Sequence, residues 1–230
     1  MTFINGIGCV LQVYFFYWWS GLSYNITKIQ GDEILTTPKK DTLYFMLLYS
    51  KRKFCYEIGT KGEKIGRIVV GICLSLLCLF VYGTWERQWV TFLFYCILWL
   101  ILKIDWKTMI IPNECIVLLF LFSIVASIFV PEITWLDRIL GFFIISVPMF
   151  IISMVTKGSI GGGDIKLMAV AGLFLGWECS ISAFIYGMFG SGIYGVYLLL
   201  WKKQGRKAVF PLGPFLCGGI ILAHCLSYRM

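Results

Sequence analysis

The chain alternates long apolar runs with short polar breaks. The runs lie at about 68–83, 88–104, 113–130 and 137–156, followed by a longer apolar stretch over 165–201 with one break at Trp177-Glu178-Cys179-Ser180. A last run covers about 208–227, and an aromatic one covers 3–20. Runs near this length match helices that cross a hydrocarbon layer of about 30 Å, where continuous apolar segments satisfy their backbone only as helices. Dividing 165–201 in two, the pattern predicts an all-α fold: a polytopic transmembrane helical bundle of about eight spans. Pro131 stops the run that begins at 113, because the ring removes an N–H and clashes with the preceding turn. Small residues crowd 165–201, among them Ala169, Ala171, Gly172, Ala183, Gly187 and Gly195. They let helix backbones approach closely in lipid.

Residues 21–67 break the pattern, as the one long polar segment. They are read as a basic cytoplasmic loop that joins the first helix to a membrane core, so the expected division is 1–67 and 68–230. Charge sets the orientation. With the N-terminus outside, the inner segments 21–67, 103–112, 157–166 and 202–207 hold 17 of the 20 Lys and Arg residues, leaving only Arg87, Arg138 and Arg229 outside. This is the positive-inside bias. A single helix over 165–201 would move the basic turn at 202–207 outside and spoil it. The net charge of +8 is therefore assigned to inner loops facing the lipid bilayer, and no nucleic-acid partner is expected. The composition, 59% hydrophobic with a mean hydropathy of +0.84, leaves a soluble domain of this size no room to bury its apolar surface.

The nine cysteines are odd in number, lie mostly in apolar runs and form no CxxC, so neither a disulfide framework nor a metal site is expected. The lone His224 has no sequence partner for a ligand set. Most acidic residues fall in the long loop or in outer turns. Asp105, Glu114 and Asp164 instead fall at the inner membrane face. Glu114 follows Asn113 and is expected in a first helical turn, where the dipole favours it. Asp105 and Asp164 have no such duty, and carboxylates at membrane depth are costly to keep without a function.

A carboxylate pair suits peptide hydrolysis. One ionised group takes a proton from water while a protonated partner polarises the scissile carbonyl. Proximity splits the two titrations, since like charges a few ångströms apart resist joint ionisation. Asp105 ends a helix and Asp164 begins one, so helix polarity assigns the proton to Asp105. The glycines Gly161, Gly162 and Gly163 before Asp164 are expected to admit an extended substrate backbone and to permit unusual dihedrals. A proton-coupled carrier or a non-catalytic scaffold would also retain membrane carboxylates; neither calls for glycines directly before Asp164.

The segments Gly158 to Ala169, with GGGDIKL at its centre, and Gly172 to Trp177 resemble the GxGD region of bacterial type IV prepilin peptidases. Gly161, Gly163 and Asp164 fall on the motif, with Lys166 two residues on. Asp105 with the downstream Ile111-Pro112-Asn113 resembles that family's first aspartate segment, and Phe210-Pro211-Leu212-Gly213-Pro214-Phe215 its C-terminal Pro-x-Gly-Pro-Phe stretch. Gly21-Leu22-Ser23-Tyr24-Asn25 is more distantly similar to its Ser-Phe-x-Asn motif. The resemblance implies a membrane aspartyl endopeptidase of the bacterial plasma membrane with Asp105 and Asp164 as catalytic pair. Such an enzyme cuts the basic leader of prepilins or pseudopilins after a glycine, at the cytoplasmic face. Proteolysis needs no cofactor. Many members also methylate the product with S-adenosylmethionine, an activity associated with two CxxC pairs; here only Cys55, in Lys51-Arg52-Lys53-Phe54-Cys55, stands in that region. A short form without structural zinc, with weak or absent methylation, is expected.

Overall fold

A computed structural model describes residues 11–17, 19, 61–81, 84–156, 160–200 and 210–227. Every regular element among them is an α-helix. The helices are α1 (residues 11–17), α2 (Lys61–Val81), α3 (Trp85–Thr108), α4 (Asn113–Ala126), α5 (Trp135–Val155), α6 (Gly162–Leu175), α7 (Trp177–Leu200) and α8 (Gly213–Ser227). Each apolar run of the sequence has its helix. Among the described residues, α3, α5 and α7 are long and apolar enough to cross a membrane. Most of the polar loop, Cys55 and the turn at 202–207 lie outside the described residues.

Several boundaries differ from expectation. Residues 61–67 belong to α2 rather than to the loop; Lys61, Glu63, Lys64 and Arg67 are good helix formers, and they extend the helix beyond its apolar part. The break in 165–201 falls at Gly176, not at residues 177–180. Gly176 has φ +77°, a left-handed conformation that costs glycine nothing. Glu178 then sits in the first turn of α7, and Ser180 donates to the Gly176 carbonyl at 2.6 Å. α4 stops at Ala126, followed by a turn in which Phe129 N–H donates to the Ala126 carbonyl at 3.0 Å.

The chain forms two compact units, residues 1–96 and 97–230. In the first, Ser75 donates to the Gln12 side chain at 2.9 Å, buried. Such a polar pair holds helices together where no water competes. Phe16 meets Phe92 edge-on with centroids 6.4 Å apart, and the Trp19 indole N–H donates to the Cys96 carbonyl at 3.1 Å.

In the second unit α6 is the central helix, packed by α4, α5, α7 and α8. Leu167 to Gly172, Phe174 and Leu175 are all buried; a helix apolar on every side belongs in an interior. Missing side chains set its contact with α5. A methyl group on Gly141 would lie 2.5 Å from the Gly172 carbonyl oxygen, so the two backbones touch. Gly219 of α8 lies equally close to Ala183 and Gly187 of α7. The C-terminal end of α6 is tied by Arg138, only 1% exposed. Its guanidinium donates to the Leu173 carbonyl at 2.9 Å and the Val130 carbonyl at 2.6 Å. These include the C-terminal acceptors a helix leaves unsatisfied, where a cation also suits the dipole. Next to it, Thr134 caps α5 by accepting from Asp137 N–H at 3.2 Å and donating to its carboxylate at 2.7 Å.

Candidate active site

Asp105 occupies the last turn of α3. The helix ends three residues later, where Met109 takes φ +54°, an unfavourable left-handed value for a residue with a Cβ. Thr108 helps hold this elbow: its hydroxyl has the Ile104 carbonyl at 2.9 Å and the Ile110 carbonyl at 3.0 Å as acceptors. The chain then turns through Ile111 and Pro112, the N-cap of α4, to Asn113 and Glu114 in its first turn. Asp164 is the third residue of α6, after the N-cap Gly161. Its Oδ2 folds back, so that a methyl group on Gly161 would lie 3.0 Å from it.

The fold joins these two places through the start of α8. Gly213 is the first residue of α8, Pro214 follows in the first turn, where proline is tolerated, and Pro211 is half-buried just before the helix. A methyl group on Gly213 would meet Asp105 Oδ2 at 2.6 Å and Ile111 Cδ1 at 3.3 Å; one on Gly163 would meet Ile111 Cβ at 3.0 Å. Ile111 therefore bridges the two glycine-faced helix starts. Lys166 closes the rim, its ammonium donating to the Asn113 side-chain oxygen at 2.9 Å. The charges of Asp105 and Asp164 act on each other, and both act on the buried thiol of Cys217 on α8. Asp105 is 4% exposed. The first residue of α8, Gly213, packs against its carboxylate, and the Asp105 Oδ2 is buried with no hydrogen-bond partner among the described residues. A buried carboxylate oxygen without a partner is costly, and water or a shared proton would satisfy it.

An aromatic cluster backs this end of the molecule. Tyr194 of α7 lies 6.2 Å from Trp106, 5.6 Å from Phe210 and 5.2 Å from Phe215, centroid to centroid. It fixes the end of α3 to α7 and α8.

Two expectations change. Gly161 has φ −63°, which any residue adopts, and Gly162 and Gly163 are helical. Space is at issue at Gly163, where a methyl group would meet Ile111, whereas one on Gly162 would meet nothing within 4 Å. Helix polarity is less one-sided than expected: Asp164 sits at the start of α6, while Asp105, in the last turn of α3, also lies against Gly213, the first residue of α8. Ile111 was visible in the sequence only as part of the Ile111-Pro112-Asn113 segment, not as the residue between two helix starts, and Cys217 was not singled out at all, because a thiol inside an apolar run looks like ordinary core. His224 is buried edge-on to Phe174 with centroids 5.3 Å apart, on the helix end away from Gly213.

Residues 92–196, which include both aspartates, match the model of the type IV leader peptidase family. The chain is 27% identical over 187 residues to a prepilin leader peptidase/N-methyltransferase of Bacillus subtilis, covering 79% of this chain and 73% of the relative. A protein of the same name from Vibrio cholerae is 27% identical over 175 residues, 69% and 68% of the two chains. One from Aeromonas salmonicida is 23% identical over 156 residues, 64% and 54%. No solved structure matches the chain.

Proposed function

We propose that this chain, which belongs to the type IV leader peptidase family, is a membrane aspartyl endopeptidase that removes the leader of prepilins or pseudopilins. The observation that carries the mechanism is the buried, unpartnered Oδ2 of Asp105, in electrostatic reach of Asp164. A water between the carboxyl groups gives a proton to the ionised one, and its oxygen bonds to the scissile carbonyl carbon. The protonated partner donates to the carbonyl oxygen, giving a neutral tetrahedral diol. Collapse of the diol breaks the C–N bond as a proton passes to the leaving amine. The pair titrates as a unit.

The positive-inside bias and the apolar helices support about eight spans with the N-terminus outside, in the bacterial plasma membrane. Asp105 and Asp164 are then at the cytoplasmic face, next to the basic inner segments. The relatives' names include a methyltransferase. That activity would draw on S-adenosylmethionine, but the segment with Cys55 lies outside the described residues, and no described residue is assigned to that group.

The test is to incubate the purified protein with a prepilin encoded beside it and to sequence the product N-terminus. The wild type should produce one new terminus following a glycine, and Asp105→Asn and Asp164→Asn should each lower the rate by about a thousand-fold, within the range for loss of acid–base catalysis, without loss of membrane insertion. Unchanged cleavage by either variant would exclude the pair.

A further inference from the structure

We infer that Ile111 determines which residue the enzyme accepts immediately before the scissile bond, by denying space to any side chain there. The inference rests on the peptidase reading above and adds to it the group that enforces selectivity. Hydrolysis by the pair places the attacked carbon within about 3 Å of the water and the proton donor. Ile111 lies against the backbone that flanks both carboxylates. It is buried, and its side chain touches both the first turn of α6, at Gly163, and the first residue of α8, at Gly213. Gly213 in turn touches Asp105, and Gly163 directly precedes Asp164. Of all substrate side chains, the one on the acyl side comes nearest the attacked carbon: its Cβ is two bonds away, that of the amine-side residue three. A Cβ there competes for the volume that Ile111 fills.

The isoleucine has little room to withdraw. The walls on either side of it are helix backbone at glycine, which no rotamer change can move. Its β-branch stiffens χ1. The loop that carries it is held at both ends: by Thr108 and the left-handed Met109 before it, and by Pro112 and the hydrogen bond between Lys166 and Asn113 after it. Close-packed, backbone-walled spaces resist an added methyl group. An extra carbon in an apolar pocket is typically discriminated by about 10- to 200-fold.

The experiment uses the full-length enzyme and three substrates that differ only in the residue before the scissile bond: Gly, Ala or Val. The quantity read is the Gly-to-Ala ratio of kcat/KM. Wild type should favour Gly by about a hundred-fold. Ile111→Ala should lower that ratio at least ten-fold, and Ile111→Val, which removes one carbon and stays closest to the native packing, should fall between the two. A ratio unchanged in both variants overturns the inference, as does an equal loss on all substrates, which marks damage to packing. If Ile111→Ala does not fold, the Ile111→Val ratio decides. Failure of the wild type to cut the glycine substrate would instead remove the peptidase reading itself.

Discussion

Gly213 lies against Asp105 so closely that a methyl group on it would be 2.6 Å from the carboxylate Oδ2 and 3.0 Å from Cγ. Gly213→Ala should therefore push the carboxylate out of place while leaving the membrane fold intact. Misplacing a reacting group by about an ångström costs on the order of a hundred-fold in rate, so kcat should fall by about that factor. Gly161→Ala approaches Asp164 Oδ2 only to 3.0 Å, at a backbone geometry open to alanine, and should cost less. Steady-state kinetics on both variants checks the order; a harmless Gly213→Ala would contradict the placement of Asp105.

Arg138 predicts a stability effect without a catalytic one. Arg138→Met keeps most of the apolar stem but leaves the Leu173 and Val130 carbonyls without the donors they have now. Each buried acceptor left unpaired costs about 1–3 kcal/mol. The variant should unfold at a lower temperature in detergent, with cleavage per folded molecule near normal. An unchanged melting temperature would mean that the guanidinium contributes no net stability.

Orientation is read by thiol labelling. Cys55 should react with a membrane-impermeant reagent only from the cytoplasmic side. Cys179 is buried, so the outer probe is Glu178→Cys, at an exposed position in the first turn of α7. It should label in intact cells. Labelling of Cys55 in intact cells would reverse the assignment.

The N-terminal segment carries one further expectation. A structural zinc site needs four ligands, usually thiolate or imidazole, and residues 21–67 supply only Cys55. Metal analysis of the purified enzyme should find no stoichiometric zinc, and mass spectrometry of the processed pilin should find little or no added methyl group. A fully methylated product made by this protein alone would refute the second expectation.

The helices were legible in the chain because each apolar run is bounded by charge or proline. Their ends were less so. The turn at Gly176 was masked by the more polar Trp177-Glu178-Cys179-Ser180, which looks like a break but starts a helix. The aspartates stood out as charges without structural duty at the membrane edge. Their surroundings did not. Arg138 counts as an outer charge in any one-dimensional tally, yet it turns inward to three carbonyls. Ile111 is one isoleucine among many, and only the approach of α6 and α8 from distant parts of the chain gives it a neighbourhood. Gly213 was visible as part of a motif, but the reason that it is a glycine lies in a carboxylate 108 residues earlier.

The contact between Gly141 and Gly172 has a mechanical consequence. Two rods notched into each other backbone to backbone cannot slide or rotate without lifting apart, and lifting exposes both notches. Asp164 therefore rides on an anvil. The elbow at residues 109–112, with its left-handed methionine and its threonine hydroxyl set between two carbonyls, presses Ile111 against that anvil at Gly163.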